Sequence, residues 1–146
     1  MTNQELKDKV FELLSHVDTT AKDTILSMIK PRFLDCDAEA LTLTLAYPLM
    51  EWERNPMHIL QGGITATIFD YSMGCLAVAV NPTSPRPMTA SLQVSYLRAA
   101  PIGNELIVKS KATMVGRTLI HATAEGWIAS APDKLVATAV STYIAK

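Results

Sequence analysis

Apolar positions in this chain follow a helical spacing at the start, fill one continuous run in the middle, and alternate with polar ones towards the end. Leu6, Val10, Leu13 and Val17 recur every three to four residues behind Thr2-Asn-Gln-Glu5, a capping-box pattern, so an amphipathic helix is predicted over 3–16. Ile25, Leu26, Met28 and Ile29 predict a second, shorter helix over about 19–30, which must stop before Pro31. Leu41, Leu43 and Leu45 alternate with Thr42, Thr44 and Ala46, the mark of a strand ending at Pro48, and 48–61 reads as a loop. From Ile64 to Val80 the chain is apolar on nearly every side, as in a buried helix, until Asn81-Pro-Thr-Ser-Pro-Arg-Pro87 breaks it. Four strand-like runs follow, near 88–99, 104–115, 118–130 and 135–145, joined by separators short enough to make them antiparallel neighbours. In the last run Leu135, Ala137, Ala139 and Ser141 share one side, and small residues there let a helix approach closely.

These elements predict an α+β fold: an antiparallel sheet of five or six strands around one long central helix, with an N-terminal helical extension. Residues 1–146 are expected to form one domain, 1–30 the extension and 31–146 the core, because 146 residues with 49% hydrophobic content fill a single core without disulfides or metal. Charge is uneven: residues 1–80 hold six Lys/Arg against eleven Asp/Glu, and residues 81–146 seven against three. The second half is the better place for an anionic ligand, although exposed sheet faces would produce the same excess, and the whole is not basic enough for nucleic acid. Cys36 and Cys75 lack metal or redox spacing, which points to a reducing, cytoplasmic setting. Met1 to Val10 has no signal-type apolar core, and the Ile64–Val80 run is short for a bilayer and carries Asp70 near its middle, so no membrane span is expected.

The chain has no G-x-G-x-x-G, no phosphate-binding G-x-x-x-x-G-K-[ST] and no H-E-x-x-H, and its three histidines are scattered, so no metal site is expected. Ser72 lies inside the apolar helix rather than on a strand-to-helix turn, which argues against a nucleophile elbow. Two features remain. Asp70 is the only formal charge in Ile64–Val80, and a carboxylate buried there costs several kcal/mol unless paired or used. Gly62-Gly63 opens the helix, where the first N–H groups lack intrahelical partners and sit at the positive end of the dipole, suited to an oxygen gaining negative charge. At about 1.5 Å per residue Asp70 lies roughly 10–12 Å beyond Gly62, too far to share one carbonyl within a chain. A two-fold dimer would bring the two features together. The plainer alternative is a tight turn at the glycines and an Asp70 that bonds to a neighbouring loop.

The series Asn55-x5-Gln61-Gly62-Gly63-x6-Asp70, then Ser95-Tyr-Leu-Arg-Ala-Ala-Pro101-Ile-Gly103 and Gly116-Arg-Thr118, resembles the hotdog-fold acyl-CoA thioesterases of the phenylacetate-degradation (PaaI-like) type over about residues 32–146. The resemblance implies a sheet wrapped around a central helix, a homodimer or homotetramer, and hydrolysis of acyl-CoA thioesters at the subunit boundary without a cofactor beyond the coenzyme A of the substrate. It makes Asp70 the catalytic carboxylate, as general base or nucleophile, and the Gly62 N–H the donor to the thioester oxygen. Asn55 would place the thioester, Thr89 would hold the attacking water, and Gly63, Tyr96, Leu97, Arg98, Val115, Gly116, Arg117 and Thr118 would line the coenzyme A track. Arg98 and Arg117 are the choices for its phosphates, a solvated strand-end charge being the plainer account of each. Tyr71, Met73, Met50, Trp52 and Ile59 are expected around the acyl pocket.

One departure stands out. The family usually has His-Gly-Gly, whereas Gln61 precedes the glycines here, and His58 falls where a glycine is common. Glutamine is expected to bond Asn55 and orient the loop, but it exchanges no proton near neutral pH. Gln61 and the N-terminal helices therefore motivate the alternative of a non-catalytic hotdog module that binds acyl-CoA as a sensor or carrier. A hotdog dehydratase is weaker, since no Asp/His pair is arranged for proton removal.

Overall fold

The computed structural model describes residues 1–82 and 86–145. Helix α1 (Asn3–Thr19) starts at the predicted capping box, in which Thr2 Oγ1 accepts from the Glu5 N–H and Glu5 Oε2 accepts from the Thr2 N–H. It runs three residues beyond the expected end. Helix α2 (Ile25–Ile29) is correspondingly shorter than predicted, because 20–24 forms a turn with Asp23 at positive φ and Lys30 ends the helix in the left-handed region.

Strand β1 (Arg32–Asp37) is the sixth strand, and its sequence, with Phe33 and Leu34 side by side, has no regular alternation. Strand β2 (Thr42–Pro48) precedes a short 3-10 turn, Glu51–Glu53, and helix α3 (Gly62–Val80). Strands β3 (Met88–Tyr96), β4 (Glu105–Val115), β5 (Leu119–Ile128) and β6 (Leu135–Ile144) then complete one antiparallel sheet in the order β1-β2-β4-β5-β6-β3. Within the expected breaker 81–87, Thr83 to Pro85 lie outside the described residues.

The sheet curls around α3, whose Ile68, Phe69, Met73 and Leu76 are wholly buried against inward residues such as Leu45, Val108 and Ile120. Among the described residues α3 is the one helix long and apolar enough to cross a membrane, yet half of it is buried inside the fold as the core rod. Two close approaches set its position. Tyr47 and Ser72 join their hydroxyls at 2.7 Å in the core, and Ser72 also donates to the Ile68 carbonyl at 2.8 Å, so this buried serine is a structural group. Phe69 presses onto the sheet at Gly126, where an added Cβ would stand 2.6 Å from the ring. Gly126→Ala should therefore lower unfolding stability by about 1–3 kcal/mol through overpacking, measured as a drop in the urea midpoint. An unchanged midpoint would show that the ring moves aside freely.

Candidate active site

Asp70 sits midway along α3, on the face turned towards the start of β3 and the end of β6. Thr89 donates to its Oδ1 at 2.8 Å, and Tyr143 donates to its Oδ1 at 3.3 Å and to its backbone carbonyl at 3.1 Å. Among the described residues nothing donates to Oδ2. The carboxylate is thus held by one oxygen, and the other is left to a cavity of about 400 Å³ that Asp70, Thr89 and Tyr143 help to line. Thr89 is placed beside the acid as expected, but it gives its own proton to Asp70. Its oxygen lone pairs are what remain for a water.

Tyr143 escaped the sequence reading. It continues the inward row Ala137, Ala139, Ser141 and is the one large side chain in it, so the alternation itself carried the signal. Burial pushes its phenol above the ordinary tyrosine range, which keeps the hydroxyl a donor.

Gly62 opens α3 at the other end. Gln61 is the N-cap, its Oε1 accepting from the Ile64 N–H at 2.9 Å, so the carboxamide expected to bond Asn55 is spent on the helix start. Asn55 turns inward on its own loop instead: its Oδ1 accepts from the Met57 N–H at 2.9 Å and the Ile59 N–H at 3.3 Å. His58 sits in that loop at φ 59°, the left-handed conformation that explains why glycine suits the position. The Gly62 and Gly63 N–H groups find no acceptor among the described residues, as the first positions of a helix should. Gly63 packs against the Gln61 side chain.

A second cavity, about 370 Å³, lies at this end and is lined by Asn55, Gly62, Tyr96, Leu97 and Arg98 among others. The Tyr96 hydroxyl donates to the Gly62 carbonyl at 2.6 Å, and Arg98 donates to the Leu135 carbonyl at 2.9 Å. Val115 ends β4, Gly116, Arg117 and Thr118 form the turn to β5, and none of the four borders either cavity. They belong to the Asp70 end: Thr89 pairs with Tyr143, Tyr143 with Ile120 and Ile120 with Val115, a single row across four strands. The expected pocket residues divide likewise. Tyr71 borders the Asp70 cavity and Ile59 the Gly62 cavity, Trp52 is exposed and Met50 half-buried, and Met73 is a core residue with no access to either.

One chain therefore carries two separate clusters of candidate residues. Asp70, Thr89, Tyr143 and the β4–β5 turn stand at one end of β3, and Gly62, Asn55 and Tyr96 to Arg98 at the other. No group of three or more metal-binding side chains occurs among the described residues. Cys75, one helical turn past Tyr71, offers no nucleophile, since burial pushes its thiol up to about 12. At pH 8 a thiol reagent should leave Cys75 unmodified in the native protein and react with both cysteines once it is unfolded in guanidinium; fast native labelling at Cys75 would contradict this burial.

A sequence model described as Thioesterase superfamily matches residues 57–134, from the loop before α3 into the turn after β5. Mouse acyl-coenzyme A thioesterase 13 is 24% identical over 120 residues, 77% of this chain and 85% of the mouse protein. A phenylacetic acid degradation-related protein from Ralstonia eutropha JMP134 shares the fold with a TM-score of 0.75 at 24% identity, over 90% of this chain and 98% of that one. A Streptococcus mutans UA159 protein solved with acetyl-CoA has a TM-score of 0.70 at 16% identity, over 80% of this chain and 88% of that one. At such identities the structural likeness establishes a common fold.

Proposed function

The chain belongs to the thioesterase superfamily and has its hotdog fold, and from that premise we propose that it hydrolyses acyl-CoA thioesters in a site shared by two copies. The observation that carries this reading is the placement of Asp70 and Gly62 beside opposite ends of β3, Thr89 bonded to the first and Tyr96 to the second. Among the described residues strand β3 pairs only with β6, which leaves its other edge open. That edge is nine residues long and has no charged side chain, whereas natural free edges are usually blunted by charge or cover. A second β3 laid antiparallel about a two-fold axis near Leu92 and Gln93 would set Thr89 opposite the partner's Tyr96. Asp70 of one subunit then faces Gly62 of the partner subunit, twice per dimer.

The chemistry follows from the groups assembled. The partner's Gly62 N–H, at the positive end of its helix, donates to the thioester oxygen as negative charge develops there. Asp70 acts through Oδ2, either taking a proton from water as the water oxygen bonds to the carbonyl carbon, or attacking that carbon itself and being released by water. In both routes the C–S bond breaks, the acid leaves as carboxylate and coenzyme A takes up a proton as its thiol. Asn55 and Gln61 shape the loop and helix start that present Gly62. Tyr96 to Arg98 from one subunit and Val115 to Thr118 from the other would flank the coenzyme A, with Arg98 and Arg117 our choices for its phosphates. No cofactor enters, and a homodimer, alone or paired into a tetramer, is the working unit. The reading treats residues 1–146 as one domain working in the reducing cytoplasm, in keeping with two unpaired cysteines.

Asp70→Asn should fold and dimerise but lose at least about a hundredfold in thiol release from acyl-CoAs, the usual size for an acid–base group. Tight acyl-CoA binding without thiol release by the wild-type protein would instead identify a sensor or carrier. Gly62→Pro removes the donor N–H at the first helical position, where proline is tolerated and Gln61 is already extended, and should lose about a hundred- to a thousandfold. Unfolded and refolded together in equal amounts, these two inactive variants should regain about a quarter of wild-type turnover, because half the dimers are mixed and each carries one intact site. No recovery despite mixed dimers would show that the site is not shared between subunits.

A further inference from the structure

We propose that the cavity beside Asp70 is the acyl-chain subsite, that the α1–α2 extension builds its outer wall, and that it takes an aliphatic chain of medium length. This rests on the thioester-hydrolase reading and goes beyond it in naming the acyl group. Helix α1 is fixed along its first half: Leu6 and Val10 are fully buried, Asn3 Oδ1 accepts from the Ala38 N–H at 2.7 Å, and Lys9 donates to the Ala79 carbonyl at 3.2 Å in the last turn of α3. Past Val10 a cavity lies between the extension and α3. Leu13 and Val17 of α1 and Leu26 of α2 line one side of the cavity, and Tyr71, Cys75 and Val78 of α3 line the other. An extension that merely sealed the core would close this gap. Its volume of about 400 Å³ lies within the range of small-molecule pockets.

The dimensions and chemistry choose the occupant. Asp70, Tyr71, Gly74, Cys75 and Val78 share one face of α3, so the floor runs eight residues from the acid, about 12 Å, which suits a chain of roughly eight to ten carbons. Gly74 leaves that floor without a side chain, with the Tyr143 ring beneath. The polar groups on the walls do not call for a polar tail. The Tyr71 hydroxyl is sealed from solvent with no oxygen or nitrogen partner, only the Cys75 thiol nearby, and burial keeps both groups uncharged. His16 is bonded to Thr20, and Arg86 is exposed at the border. An acetyl group would leave most of this space empty.

Steady-state kcat/KM measured by thiol release over saturated acyl-CoAs of two to sixteen carbons, with phenylacetyl-CoA included, tests the assignment. Each methylene buried should raise kcat/KM about fourfold until roughly eight to ten carbons, beyond which the rise should stop. Leu26→Trp fills the cavity from the half-buried α2 and should lower the decanoyl-to-butyryl ratio at least about tenfold. Leu26→Ala should move the optimum to longer chains, with circular dichroism confirming that both variants are folded. A flat profile, a preference for acetyl- or phenylacetyl-CoA, or ratios unmoved in folded Leu26 variants would overturn the subsite while leaving thioester hydrolysis standing. Absence of thiol release from every substrate would sink the hydrolase reading itself, and decanoyl-CoA binding unaffected by Leu26→Trp would then sink the subsite as well.

Discussion

A helix is a rod: it rises by about 1.5 Å per residue and does not fold back, so two groups eight residues apart on it stay about 12 Å apart whatever surrounds them. Gly62 and Asp70 are fixed in this way on α3, and the sheet packed around the rod leaves it no freedom to bend. The start of the helix supplies unsatisfied N–H donors and its middle a carboxylate, and each opens into its own cavity. A single chain thus holds these two groups out of reach of one another.

The sheet provides the means of closing it. Edge strand β1 is covered by α1 and carries Arg32, Asp35 and Asp37, whereas β3 is neutral and its edge is uncovered among the described residues. Thr89 and Tyr96 are seven residues apart, an odd interval that would point them to opposite faces of a regular strand. The bulge between Thr89 and Ser91 absorbs one residue, so that Thr89, Leu92, Val94 and Tyr96 all turn towards α3. One irregularity therefore lets a single strand touch both Asp70 and Gly62.

Around Asp70 the polar groups are arranged asymmetrically. Thr89 and Tyr143 both donate to Oδ1, which fixes the carboxylate plane and distinguishes its two oxygens before any substrate arrives. The glutamine before the glycine pair fits the same economy of parts: by capping α3 it holds the donor end of the helix in place, a task that needs a hydrogen-bond acceptor and no titratable ring.

Much of this was legible in the amino-acid order. The capping box of α1, the apolar run with its lone acid, the alternating strands and the glycine pair are local patterns, written within one turn or one strand, and periodicity alone determined them together with the α+β class. The motif spacing likewise pointed to Gly62 and Asp70. Other features depend on which distant segments meet. Strand β1 forms because β2 and α1 accept it, and Arg32-Phe-Leu-Asp-Cys-Asp37 has no alternation of its own. Tyr143 becomes the second holder of Asp70 only when β6 lies under α3, Gln61 caps the helix start where a bond to Asn55 was expected, and the cavity forms only where α1, α2 and α3 come together. Local order decides the periodicity of each segment, but the face, partner and gap it receives are set by contacts between residues far apart in the chain, and those only the tertiary structure could decide.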